Sequence, residues 1–155
     1  MASGGRFAFG YAKPVPVDPM RMTKVGPRDG MLLTGIAGPA TNLVLAGAAA
    51  AVLLPLRLGL LPAPQLVVYG LYYWVYLNVL LALFNLIPLP PMDGSRVVQR
   101  FLTGNARRVY AEMERYGFMI LIGFVWIVPQ FTGFDPLEYY FRWTVDPVVR
   151  LLTGM

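Results

Sequence analysis

The sequence contains neither histidine nor cysteine among its 155 residues. The missing cysteines exclude disulfide bonds and every metal site built on thiolates. The missing histidines remove the commonest zinc ligand and the commonest general base from the chain. Charge is also scarce, because charged residues make up 14% of the sequence, against about 25% in an average soluble domain. An active site built on histidine or cysteine within this chain is therefore excluded.

What the sequence has in abundance is apolar residues, which make up 57% of it and come in long uncharged blocks. The blocks cover about 31–54, 66–87 and 116–128. The first two are each long enough to cross a hydrocarbon core of about 30 Å as a helix, and the third is short for a span. Pro39 predicts a kink or a break near Gly38 in the first block. The pattern predicts an all-α membrane protein with about three transmembrane helices in a lipid bilayer.

The ends of the chain differ from these blocks. Three prolines between positions 14 and 19 disfavour helix, which predicts a short extended or hairpin segment near the N-terminus. The tail mixes aromatic and basic residues, as interfacial helices do. We therefore divide the chain into an N-terminal segment (1–30), a transmembrane core (31–131) and an interfacial C-terminal tail (132–155).

The basic residues lie between the apolar blocks and account for the net charge of +5. Five precede the first block, one separates the first from the second, and five separate the second from the third. The positive-inside rule then predicts a multi-pass protein of the cell membrane, with the N-terminal segment and residues 95–115 in the cytoplasm. No basic run is interleaved with aromatic residues as base stacking requires, so no nucleic-acid partner is expected.

Two segments carry polar residues where an apolar environment makes them costly. The first ends the second block, where Asn85 is followed by Pro88, Pro90 and Pro91 and then by Asp93. Prolines stiffen the backbone, so the carboxylate of Asp93 is held in place at the membrane boundary. An ordinary Asp-Gly turn beside a helix-packing asparagine explains the same residues more simply. Spacing alone leaves both interpretations open.

The second segment, Gly38 to Asn42, places an asparagine in the middle of the first block. A hydrogen bond between neighbouring helices would explain Asn42 without any chemistry, and such bonds contribute about 1 kcal/mol. On its own this asparagine is weak evidence for a functional site.

Taken together, these segments resemble the motifs of the site-2 protease (peptidase M50) family. Gly38–Asn42 resembles G-P-x-x-N, and Asn85–Gly94 resembles N-x-x-P-x-P-P-L-D-G with Met92 in place of leucine. Phe9–Val17 resembles the F-G-W-A-K-P-V-P-V segment of the compact bacterial branch. The three motifs occur in the family's order, and the resemblance covers about residues 9 to 124.

The resemblance implies an intramembrane zinc metallopeptidase that cleaves transmembrane proteins. In the family, zinc is held by the two histidines of an H-E-x-x-H helix and by the aspartate of the D-G motif, while the glutamate of that helix activates the zinc-bound water. Asp93 matches the third zinc ligand, and Asn42 and Asn85 match asparagines that position the substrate or the backbone of the site. The remaining matched motif positions are Gly38, Pro39, Pro88, Pro90 and Gly94.

The sequence departs from the family in having no H-E-x-x-H, which in the family precedes the A-K-P-V-P-V segment. A catalytic zinc takes three protein ligands, and Asp93 supplies one. We therefore expect that this chain alone neither holds zinc nor cleaves peptides, and that Asp93 has no partner within it. Three interpretations follow: part of a metallopeptidase whose H-E-x-x-H segment comes from elsewhere, such as another chain; a non-catalytic protein that binds transmembrane helices; or an unrelated membrane scaffold.

Overall fold

A computed structural model describes residues 26–155, so the predicted extended or hairpin segment lies almost wholly outside the described residues. Those residues contain no strand and form six α-helices. Three helical stretches are long and apolar enough to cross a membrane: 27–57, 65–85 and 104–132. This confirms the predicted all-α membrane protein with about three spans. The helices are α1 (Pro27–Arg57), α2 (Gln65–Asn85), α3 (Gly94–Phe101), α4 (Gly104–Ile122), α5 (Val128–Thr132) and α6 (Pro136–Thr153).

Helix α1 begins earlier than the first apolar block and continues through its proline. Pro27 occupies the first turn, where its missing N–H costs nothing, and Asp29 complements the positive end of the helix dipole. The expected break near Gly38 does not occur, although Pro39 lies within the helix and is fully buried. A membrane offers the backbone no water to bond, so a helix tolerates one missing hydrogen bond more readily than an interruption.

Helices α1, α2 and α6 share one apolar core. The connection between α1 and α2 is short, so the two form an antiparallel hairpin. The residues that α1 contributes to this core are alanines, which let its backbone approach the valines of its neighbours closely. The buried core residues are Ala46, Ala49, Ala50, Val75, Val79, Val145 and Val149.

Helix α6 runs along the length of this hairpin. The Asp135 carboxylate caps its start by accepting from the backbone N–H groups of the first turn. Near that end the Tyr140 hydroxyl donates to the Leu83 carbonyl oxygen over 3.1 Å, beside the end of α2. At the other end the Arg57 guanidinium, at the end of α1, donates to the carbonyl of Thr153. The interfacial location of the tail stays a prediction, but its helix is packed into the bundle.

The third apolar block is the second half of a longer helix. Helix α4 continues through a π-helical turn, Gly123–Ile127, into α5, so residues 104–132 are helical throughout. The sequence made this span look short because its first part is polar, although that part is equally helical. Pro129 follows the π-helical turn and falls in the first turn of α5.

We predict that Ala46→Leu destabilises the protein by about 1–3 kcal/mol, because Ala46 is fully buried between α1 and its neighbours and the larger side chain overpacks the core. The free energy of unfolding in mixed micelles measures this. The matched control is Ala48→Leu on the exposed face of the same helix, with an expected change within about 0.5 kcal/mol. Equal losses in the two variants would contradict the packing described here.

Candidate functional site

The candidate site begins where α2 ends. Asn85 is the last residue of α2, and its amide donates to the Leu81 carbonyl oxygen over 2.9 Å, one turn back in the same helix. The chain then runs through consecutive tight turns up to Asp93, with backbone hydrogen bonds from Leu89 to Ile87 and from Met92 to Leu89. We call residues 86–93 the proline segment. Its prolines provide no N–H, so short-range turns replace the helical ladder.

Two glycines allow close packing on the proline segment. A Cβ added at Gly94 would overlap the Leu86 carbonyl, and one added at Gly117 of α4 would overlap the Pro90 carbonyl. Tyr110, two turns before Gly117, donates its hydroxyl to the Pro88 carbonyl oxygen over 2.7 Å. The start of α3 and one face of α4 therefore pack against two sides of the proline segment. Helix α4 also donates a hydrogen bond to one exposed carbonyl of that segment.

The third side of the segment is covered by α1, which brings the two sequence motifs together. A Cβ added at Gly38 would lie 3.0 Å from Oδ2 of Asp93, and one at Gly35 would lie 2.8 Å from the Asp93 backbone oxygen. Asp93 thus packs against two glycines of α1, Gly35 and Gly38, where no side chain separates it from the helix backbone. No role was predicted for Gly35 from the sequence, although its spacing of three from Gly38 places both glycines on one helix face.

Asp93 has a partner within the chain, so the expectation of an unpaired carboxylate was wrong. Arg96 Nη1 lies 3.6 Å from Asp93 Oδ1, and both side chains are about one-third exposed. The pairing arises because Asp93 is the N-cap of α3. Arg96 lies three residues later, on the same face of the helix. A partly exposed pair of this length contributes little to stability, so the carboxylate remains available to a stronger ligand.

The remaining predicted residues fall into two groups. Pro90 and Gly94 are buried inside the segment and at its junction with α3, and Pro39 is buried in α1. The two asparagines are not joined to Asp93: among residues 26–155 no hydrogen bond links either of them to its carboxylate. Asn42 is half-buried one turn beyond Gly38, and the Asn85 amide bonds its own helix.

The residues present do not by themselves fit a zinc ion. Within the part of the chain that the structure describes, no three metal-ligating side chains of His, Cys, Asp or Glu come together. The full sequence contains no histidine or cysteine to add to them. A catalytic zinc site takes three protein ligands, whereas this site offers the single carboxylate of Asp93.

We predict that Gly117→Ala destabilises the protein by about 2 kcal/mol or more, because its Cβ meets the backbone of Pro90 rather than a movable side chain. The control, Gly70→Ala in α2, meets no atom within 4 Å and should stabilise by about 0.5–1 kcal/mol through helix propensity. Unfolding of both variants in the same micelles tests the contact. A stabilising Gly117→Ala would show that α4 does not pack on the proline segment.

Comparison with known proteins agrees with this geometry. Residues 61–128 match the profile of peptidase family M50. The chain is 32% identical to YwhC of Bacillus subtilis over 157 aligned residues, which cover 95% of this chain and 67% of YwhC. It is 32% identical to Rip2 of Mycolicibacterium smegmatis over 95 residues, 58% of this chain and 34% of Rip2. With Rip3 of Mycobacterium tuberculosis the identity is 39% over 66 residues, 43% of this chain and 16% of Rip3.

All three relatives are named as candidate zinc metalloproteases. The chain spans about two thirds of YwhC and about a third or less of the two mycobacterial proteins. No solved structure matches it. The match to YwhC covers nearly all of the chain, and the family profile includes the proline segment with Asp93. The chain therefore belongs to peptidase family M50.

Proposed function

We propose that these residues form the carboxylate-bearing, membrane-embedded part of a site-2-protease-like zinc metallopeptidase that cleaves transmembrane proteins. The observation that carries the proposal is the position of Asp93 against Gly38, which joins the two family motifs at the end of a membrane helix. An ionisable side chain at such a position is costly, and its usual explanation is a functional site. Asp93 is then the metal ligand that this chain contributes.

In this proposal the proline segment holds the carboxylate in a fixed position. A metal ligand on a loop needs packing and hydrogen bonds to fix its position. Here the segment is supported by Gly94 at the start of α3, by Gly117 and Tyr110 on α4, and by Gly38 on α1. Asn85 is the last residue of α2, and its side-chain amide bonds the Leu81 carbonyl oxygen of the same helix. Two histidine ligands and the general base would come from an H-E-x-x-H segment outside these 155 residues.

An apolar cavity beside the proline segment suits a transmembrane substrate. It has a volume of about 460 Å³ and lies between Ile87 and Pro88, Phe124 of the π-helical turn, and the aromatic start of α6. Its walls offer almost no polar atoms, so it would accept an apolar side chain of a membrane helix rather than a soluble peptide. We propose it as the place where the substrate, or a bound helix, contacts this part of the protein.

The orientation proposed from the sequence places the Asp93 end of the bundle on the cytoplasmic side. Arg28 at the start of α1 lies beside Arg96 and Arg100 of α3, so the basic residues of two sequence regions meet at one end. At its opposite end α1 finishes at Arg57, and the connection to α2 (58–64) contains no basic residue. This distribution supports cytoplasmic positions for the N-terminal segment and residues 95–115.

A second function is favoured by one observation, the ion pair between Asp93 and Arg96. A carboxylate that is already neutralised by an arginine needs no metal. The chain would then be a non-catalytic membrane protein that keeps the family fold and binds transmembrane helices at the apolar cavity.

Zinc content separates the two functions. The chain is purified alone and after co-expression with a separate membrane segment that contains an H-E-x-x-H motif, and zinc is measured by elemental analysis. We expect well under one zinc ion per chain alone and about one per complex, since a complete site then has three protein ligands. Asp93→Asn should remove the zinc, because a neutral amide is a poor ligand for it.

The control is Asp146→Asn on α6, a half-buried aspartate in another part of the bundle, which should leave zinc content unchanged. A stable complex without zinc would favour the helix-binding function. Zinc retained by the Asp93→Asn complex would contradict the role proposed for Asp93.

A further inference from the structure

A small cavity lined by four arginines lies at the Asp93 end of the bundle. It has a volume of about 100 Å³, which is room for several water molecules or for one group of similar bulk such as a phosphate. It is enclosed by the first turn of α1, by one face of α3 and by the start of α4. Its lining residues are Pro27, Arg28, Met31, Arg96, Gln99, Arg100 and Arg107.

The cavity carries more positive than negative charge. Arg100 pairs with Asp29 at 2.5 Å, which ties α3 to the first turn of α1. Arg96 pairs with Asp93 at the longer distance of 3.6 Å. Among residues 26–155, neither Arg28 nor Arg107 has a carboxylate within ion-pair distance. Two of the lining arginines, Arg28 and Arg107, therefore have no counter-charge among the described residues, which favours an anion there.

The surroundings of the cavity indicate an anion that is attached to something apolar. It lies at the first turn of a membrane-spanning helix, and Met31 forms part of its wall. From that level exposed apolar side chains continue along α1 into the span, where Leu33 is 56% exposed. Phe101, beside Arg100 at the end of α3, is 75% exposed. A soluble anion gains nothing from these side chains, whereas acyl chains pack against them.

We propose that this cavity binds the phosphate of an anionic membrane lipid, with Arg28 and Arg107 as its principal ligands and the acyl chains along the apolar face of α1. Guanidinium groups bind phosphate oxygens in pairs, and basic pockets between membrane helices suit anionic headgroups. The bound lipid would join α1, α3 and α4, the three helices that surround Asp93. The inference does not depend on whether the chain takes part in peptide cleavage.

The test uses the whole chain in nanodiscs of phosphatidylcholine that contain a small fraction of fluorescent phosphatidylglycerol. Energy transfer from the tryptophans reports the enrichment of the anionic lipid around the protein. The variant Arg28→Gln/Arg107→Gln should lower the apparent affinity about 100-fold, because each arginine loses charge-assisted hydrogen bonds to the phosphate that are worth roughly tenfold. Circular dichroism verifies that the variants are folded.

The matched control is Arg108→Gln/Arg115→Gln, which removes the same charge from α4 residues that line no part of the cavity. It should keep most of the enrichment. Equal loss in both double variants would mean diffuse attraction and would overturn the site. Displacement of the lipid by millimolar inorganic phosphate, or phosphate binding in purely zwitterionic discs, would identify a soluble anion as the occupant and overturn the lipid proposal.

Discussion

The structure depends on covering one irregular stretch of backbone, the proline segment, which follows directly on a helix long and apolar enough to cross a membrane. Lipid offers no hydrogen bonds, so non-helical backbone at this level has to be covered by protein. Three helices provide that cover. Helix α1 presents glycines to Asp93, α3 folds back onto Leu86 through Gly94, and α4 packs Gly117 on Pro90 and bonds the Pro88 carbonyl through Tyr110.

This constraint also explains where the functional residues lie. The close approaches that cover the segment are the ones that place the Asp93 carboxylate against Gly38. A side chain at Gly38 would displace the carboxylate, so the motif glycine of α1 and the motif aspartate form a single packing unit. In the function proposed above, this unit is one part of a zinc site, and the histidines of an H-E-x-x-H segment would complete it.

The arginines at the same end add a second, electrostatic layer. Arg100 joins α3 to Asp29 of α1, whereas Arg96 pairs with Asp93 at the start of its own helix. The apolar core lies further along α1, around its alanines, and there α6 rather than α4 completes the bundle. The Asp93 end is therefore held by glycine packing and charge, and the opposite half by apolar burial.

Much of this could be predicted from the sequence, because long uncharged blocks have few alternatives to membrane helices. The spans of α1 and α2 follow from the uncharged blocks. The family motifs marked Asp93 and Gly38 separately, but their contact was not predicted. The uninterrupted helix at Pro39 could not be predicted, since it depends on the absence of competing water. The Asp93–Arg96 pair and the contact of Gly117 with Pro90 depend on how α3 and α4 turn back, and no local pattern encodes that.

The packing of α6 is a second feature that the sequence of one segment could not predict. Its charged and aromatic residues indicate an interfacial helix, yet Val145 and Val149 are buried against α1 and α2. The four-residue spacing of these two valines is visible in the sequence. The alanines of α1 that they pack against lie nearly a hundred residues earlier in the chain. Tertiary contacts of this length cannot be read from the periodicity of one segment.

The most direct test of the central contact is a disulfide between α1 and α3, which the cysteine-free sequence makes unambiguous. A Cβ at position 35 would lie 3.0 Å from Cβ of Arg96 and 2.8 Å from the Asp93 backbone oxygen. A shift of α1 away from α3 by about 0.5–1 Å therefore relieves the overlap and brings the two Cβ atoms to the ~3.5–4.5 Å that a disulfide requires. Gly35→Cys/Arg96→Cys should therefore cross-link on mild oxidation in native membranes, and Gly47→Cys/Arg96→Cys should not. Cross-linking of both pairs would contradict the packing of α1 against α3 and the proline segment. Cross-linking of neither pair, while all thiols remain reactive, would contradict it as well.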